Sequence, residues 1–117
     1  MMKILIVDDS ATARMLFKAY IPESVKCEVH EAANGLDAIE IANQVKPDLA
    51  VIDYNMPGLV GTDVAKKLQS QGITPRFVLI TANTQQSVLD RAEEVGFSWV
   101  LEKPITKDKM AALFAGE

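Results

Sequence analysis

Three apolar runs in this 117-residue chain end on an oxygen-bearing side chain, and a fourth ends on an amine. Lys3-Ile-Leu-Ile-Val stops at the pair Asp8-Asp9, Leu49-Ala-Val-Ile at Asp53, Phe77-Val-Leu-Ile at Thr81, and Trp99-Val-Leu-Glu at Lys103, which Pro104 follows. Adjacent carboxylates repel unless a cation or solvent compensates them, and Asp53 would add a third negative charge. A hard divalent ion with oxygen ligands relieves that repulsion, and Mg2+ suits a site with few carboxylates and retained waters. Calcium asks for more protein oxygens than these runs offer. Zinc would have only His30 to draw on, on an expected edge strand. A carboxylate can also attack phosphorus to form an aspartyl phosphate. That reaction needs in-line positioning and neutralised charge more than covalent help. Lys103 offers a point charge, Thr81 a hydroxyl donor, and the small Ala82 leaves room for a phosphoryl group to enter. Pro104 can fix the lysine's approach, a cis bond being one way to do so.

Taken singly, each residue has an ordinary structural reading. An Asp at a strand end is usually a turn or cap residue, Thr81 a strand terminus, and Lys103 a solvated charge. Their joint placement at successive strand ends selects the chemical reading. Apolar strands alternating with helical patterns imply a parallel α/β sheet, whose functional crevice lies outside the carboxyl ends of the strands. The polar tips should therefore converge.

The elements follow in the order βαβαβαβαβα, with right-handed crossovers expected. Strand one spans Lys3–Val7. Ser10 caps a helix running to about Tyr20 and halted by Pro22, with Met15, Leu16 and Ala19 as its apolar stripe. Val25–Glu31 alternates apolar and polar residues and reads as a half-exposed edge strand. Asn34-Gly35 turns the chain into a helix to Val45, with Leu36, Ile39, Ala42 or Asn43, and Val45 at helical spacing. Leu49–Asp53 is a buried strand, and Tyr54–Gly58 a loop in which Met56 packs. A helix near Thr62–Gln69, the strand Phe77–Thr81 and a helix over Gln85–Val95 come next. In the last of these Val88, Leu89, Ala92 and Val95 face inward, and Gly96 ends it. A fifth strand runs to Lys103, and Thr106–Phe114 forms a short final helix. Phe97 and Trp99 read as core or edge packing, Lys66-Lys67 as a solvated helix face, and His30 as inert.

Composition narrows the classes. The length fits one domain covering residues 1–117. A net charge of −4 argues against a nucleic-acid surface, which would cluster Lys and Arg. The single cysteine, Cys27, cannot form an intramolecular disulfide or a thiol-rich metal site. The apolar stretch Ile4–Val7 is too short for a signal peptide or a membrane span. A cytoplasmic location is expected by elimination.

The runs Asp8-Asp9-Ser10, Asp53-Tyr-Asn-Met-Pro-Gly, Thr81-Ala82 and Lys103-Pro104 together resemble the receiver domain of two-component response regulators, of the stand-alone, CheY-like kind. The resemblance covers essentially the whole chain. It implies a flavodoxin-like, doubly wound five-stranded parallel sheet of order 2-1-3-4-5 with five helices, an order which that family itself exemplifies. It also implies that Asp53 is the phosphoacceptor, and that Asp8, Asp9, Asp53 and the backbone carbonyl of Asn55 hold Mg2+. Thr81 would bond the phosphoryl group and Lys103 pair with it. Asn55 and Asn83 occupy positions that tune hydrolysis in the family. One departure stands out: receivers typically carry Tyr or Phe three residues before the lysine, where this chain has Val100, beside Trp99. Valine is too small and stiff for the same rotamer switch. Strand parity puts Trp99 and Val100 on opposite faces, so the surface around helix four and strand five is expected to report phosphorylation differently.

The resulting expectation is a signalling switch, not an enzyme acting on other substrates. It would accept phosphate from a sensor histidine kinase in a phosphorelay, chemotaxis being one candidate pathway. It would then bind a downstream effector protein as a monomer or, on activation, a dimer, with no direct nucleic-acid or membrane contact. Alternatives are the receiver fragment of a longer transcription regulator or signalling enzyme, an aspartyl-phosphate phosphohydrolase, and a flavodoxin-like cofactor binder. The phosphohydrolase would want an acidic residue at position 55, where Asn stands. The flavin binder would meet repulsion from Asp8-Asp9.

Overall fold

The computed structural model describes residues 1–115 and contains five strands and five helices in strict alternation. They are β1 (Met2–Val7), α1 (Ala11–Tyr20), β2 (Cys27–Ala32), α2 (Gly35–Val45), β3 (Leu49–Asp53), α3 (Gly61–Ser70), β4 (Arg76–Thr81), α4 (Gln86–Val95), β5 (Phe97–Glu102) and α5 (Lys107–Ala115). The strands form one parallel sheet in the order β2-β1-β3-β4-β5. This is the CheY-like flavodoxin fold that the family resemblance implied. The last two residues of the expected domain, 116 and 117, lie outside the described ones.

The two-residue period of each strand sorts its side chains between two cores. Leu5, Val7, Ala50, Ile52, Phe77 and Leu79 point to the layer built by α2, α3 and α4. Their neighbours Ile4, Ile6, Leu49, Val51, Val78 and Ile80 meet α1 and α5 through Phe17, Met110, Leu113 and Phe114. The central strands are thus covered on both faces, which explains why β1 and β3 read as unbroken apolar runs. No helix among the described residues is long and apolar enough to cross a membrane.

Several local expectations need correction. The buried residue of α1 is Phe17, whereas Met15 is 58% exposed and Ala19 also faces solvent. Phe17 enters the core with Tyr20 packed beside it, so the expected stripe is rotated away from the core. In α2, Leu36 is 74% exposed, and the buried positions are Gly35, Ala38 and Ala42. The reason is the close approach of α3: a Cβ at Gly35 would stand 2.9 Å from the Val64 side chain. Only small residues fit along that seam. β2 begins two residues late because the Val25 amide is engaged in a turn to the Pro22 carbonyl. Thr106 lies outside α5 as its cap, its hydroxyl accepting from the Lys109 amide at 3.2 Å.

β5 carries an irregularity absent from the sequence reading. Phe77 pairs with Phe97, but the next residue, Val78, pairs with Trp99, leaving Ser98 as an extra residue. The bulge resets the alternation. Phe97 and Val100 therefore join the same core layer although three positions apart, and Leu101 joins the opposite one.

Candidate functional site

The carboxyl ends of β1, β3, β4 and β5 bring the four polar tips together. β1 hands over to the β1–α1 loop at Asp8, which is fully buried, while Asp9 is exposed. The two adjacent carboxylates thus do not both face inward. Asp53 ends β3 and is 3% exposed. One carboxylate oxygen from each of Asp8, Asp9 and Asp53 lies within 4.8 Å of the others. Lys103, just past β5, is held by its amide donating to the Thr81 carbonyl at 2.9 Å, and its peptide bond to Pro104 is cis. Its ammonium stands 3.3 Å from Asp53 Oδ2 and 3.4 Å from Asp8 Oδ2.

The loops that carry these residues are tightly held. Ser10 caps α1, its hydroxyl accepting from the Ala13 amide, while its own amide donates to Asp8 Oδ1 at 2.9 Å. After β3 the Tyr54 amide donates to the Ile80 carbonyl, and the Gly61 amide donates to the Tyr54 carbonyl. α3 starts so close to the end of β3 that a Cβ at Gly61 would collide with the Asp53 carbonyl oxygen. Gly58, at φ +89°, supplies the left-handed residue that lets the Tyr54–Gly58 loop turn. Thr81 is buried, and its hydroxyl exchanges hydrogen bonds with the Asn83 backbone, accepting from N at 2.8 Å and donating to O at 3.0 Å. The Asn83 side chain in turn accepts from the Gln85 amide ahead of α4. Asn55 lies exposed in the β3–α3 loop. Met56 is buried and packs in the core, as expected of it.

Electrostatics mark the pocket as strained. Burial, and then repulsion from Asp8, pushes the Asp53 carboxyl up to about 6, against the pull of Lys103. Burial alone would lower the Lys103 ammonium. The Asp53 and Asp8 carboxylates outweigh it and hold the amine above its ordinary value. The Lys103 ammonium thus pairs with two of the three carboxylates, those of Asp8 and Asp53. Asp8 Oδ2 is buried and accepts no hydrogen bond from any described residue, the Lys103 ammonium giving it charge without bonding geometry. A buried carboxylate oxygen left in that state wants a partner. An all-oxygen set of this size and charge fits Mg2+.

Two residues at the site escaped sequence reasoning. Arg14, in α1, donates from Nη1 to the Asp8 carbonyl at 2.6 Å and from Nε to Glu31 Oε1 at 2.9 Å. Nothing in local spacing joins Arg14 to a glutamate on β2; only the sheet order does. At the departure from the family pattern, Val100 packs against the core. Trp99 is 37% exposed, with the Arg76 guanidinium 6.0 Å from its ring centroid. Both side chains also border one hollow beside α4. His30 pairs with Glu28 at 3.1 Å, on β2 in register with Leu5 and away from the acidic ends.

The family model of the response regulator receiver domain matches residues 4–115. The chain is 36% identical over 104 residues to the transcriptional regulatory protein PdtaR of Mycobacterium tuberculosis, covering 89% of this chain and 50% of that protein. It thus spans about half the length of the first curated relatives it matches. With the chemotaxis protein CheY of Listeria monocytogenes it shares 30% identity over 110 residues, 94% of this chain and 92% of the relative. The solved structure of Vibrio cholerae CheY4 superposes with a TM-score of 0.90 at 25% identity, over 99% of this chain and 98% of that one. Motifs, sheet order and matched length agree, and the chain belongs to the response regulator receiver domain family.

Proposed function

We propose that this protein is a phosphorylation-controlled switch of a two-component phosphorelay, with Asp53 as the acceptor. The observation that carries the reading is the meeting of three carboxylates with one lysine at the sheet's carboxyl edge. An Asp53 oxygen attacks phosphorus in the phosphohistidine of a sensor kinase. The new P–O bond forms as the P–N bond breaks, and the leaving imidazole takes up a proton. Water later cleaves the acyl phosphate and restores the carboxylate. Lys103 balances charge on the incoming phosphoryl oxygens, and the Thr81 hydroxyl turns from Asn83 to donate to one of them. Asp8, Asp9, Asp53 and the Asn55 carbonyl would hold Mg2+, whose bound charge offsets that of the phosphoryl group and the three aspartates.

The phosphorylated form biases a two-state surface that a downstream effector reads. With Val100 in place of an aromatic ring, that surface is the α4–β5 face, where Leu89, Ala92, Phe97, Trp99 and Val100 line a hollow. The reading is of a cytoplasmic switch acting on itself, comprising one receiver domain. Chemotaxis is the pathway suggested by relatives named CheY. A second reading, the receiver portion of a longer transcription regulator, is favoured by the half-length match to PdtaR.

Acetyl phosphate with Mg2+ tests the chemistry. The expected product is one alkali-labile phosphoryl group per chain by intact mass, not formed when a chelator is present from the start and absent from Asp53→Asn. Labelling that persists in D53N removes the proposed acceptor. Steady turnover of small phosphate esters would instead favour a phosphohydrolase.

A further inference from the structure

We infer that Arg14 is a positioning residue of the acidic site: locked by Glu31, its guanidinium fixes the Asp8 backbone where the Asp8 carboxylate can meet a divalent cation. The inference rests on the Mg2+-dependent reading above and assigns part of that site's affinity to a residue that touches neither cation nor phosphoryl group. Asp8 follows the last residue of β1, so its peptide groups need partners outside the regular ladder. Its amide donates to the Ala32 carbonyl at 3.1 Å, and its Oδ1 accepts from the Ser10 amide at 2.9 Å. Its carbonyl accepts from Arg14 Nη1 at 2.6 Å. Every other polar atom of the residue is thereby held, and Oδ2 alone faces the pocket without a hydrogen bond.

The second half of the device is Glu31. It accepts from Arg14 Nε at 2.9 Å and from Lys18 Nζ at 2.7 Å. These bonds hold its carboxyl below the usual range, so it stays ionised wherever the site works. The Arg14 side chain is 16% exposed, so its fork is sheltered and its two bonds are of the strong, charge-assisted kind. Pairing with Glu31 also occupies the guanidinium's charge. Arg14 therefore acts on the loop by geometry and does not compete with the cation for the carboxylates. Outer partners of this kind commonly set metal affinity as firmly as the ligands do.

Calorimetric Mg2+ titration of the full chain tests this, with the Mg2+ dependence of acetyl-phosphate labelling measured beside it. Arg14→Met is expected to weaken Mg2+ binding by about tenfold. Its labelling rate at saturating Mg2+ should stay near that of the unaltered protein. Arg14→Lys should recover part of the affinity, since a single ammonium cannot reproduce the two-pronged bond. Lys18→Met, which leaves the Arg14 fork intact, should stay within about twofold of the original. Glu31→Gln carries the test if R14M does not fold, and should weaken binding in the same direction. Unchanged Mg2+ affinity in folded R14M, or in E31Q where R14M is unfolded, overturns the inference and leaves the labelling of the unaltered protein untouched. If R14M weakens Mg2+ binding but the unaltered protein takes no phosphoryl group, the functional reading falls and Arg14 keeps its role.

Discussion

The proposed chemistry needs Asp53 ionised, yet the fold resists it. Burial and the neighbouring Asp8 raise its carboxyl from an ordinary 3.8 to about 6. Between those values the folded chain holds a proton that the unfolded chain has released. Without metal, stability should therefore fall as pH rises through that window, the reverse of the usual carboxylate in an ion pair. A rise of that size is worth about 3 kcal/mol at most, since the site is coupled to its neighbours. Urea unfolding in a chelator at pH 4 and pH 7 checks this once compared with D53N. The variant should lose most of the decline and be the more stable protein at pH 7. Saturating Mg2+ at pH 7 should narrow that difference, because binding to the folded state alone adds stability. An equal pH slope in both proteins would show that Asp53 is not the group responsible.

At the scale of the elements, packing decides which substitutions matter. Phe17 is completely buried between the sheet and α5, so Phe17→Ala should cost about 3–5 kcal/mol in chemical denaturation. Met15→Ala and Leu36→Ala, on exposed positions, should stay within about 0.5 kcal/mol. Gly61 and Gly58 form a second contrast. Gly61→Ala forces α3 off the end of β3 and should cost about 2 kcal/mol or more, with Mg2+ binding weakened because Asp53 moves. Gly58→Ala meets no atom within 4 Å and should cost only the roughly 1–2 kcal/mol of a left-handed backbone. These cases also show what the sequence could tell. Strand ends and their polar tips were legible because a two-residue period and an abrupt change from apolar to charged are local signals. The facing of α1 and α2 was not. Hydrophobicity favoured Met15 and Leu36, while the actual faces were set by how near α3 and α5 come, which selects Gly35 and Phe17. The bulge at Ser98 was equally hidden, since it exists only relative to β4. Arg14 was missed for the same reason: its partners arrive from the neighbouring strand.

Across the whole molecule, the site is assembled from four different strand ends, and the parallel order makes the meetings between them long-range. Lys103 and Asp53 are separated by 50 positions in the chain, and β1 must lie between β2 and β3 before Asp8 is enclosed. No single βα unit contains the pocket. Specificity of place therefore comes from topology, and bonds from nearby residues, such as the Ser10 amide on Asp8 Oδ1, then orient each tip. A kinetic signature follows from this convergence. The burial of Asp53, the larger cause of its raised carboxyl, should be complete only once β4 and β5 have docked beyond β3, late on the route from the denatured ensemble. Neutralising Asp53 should leave the refolding limb of a chevron nearly unmoved and slow the unfolding limb, the pattern of a contact formed beyond the transition state. Stopped-flow measurements in chelator would read this directly; a faster refolding limb instead would mean that the carboxylates already crowd one another at the barrier.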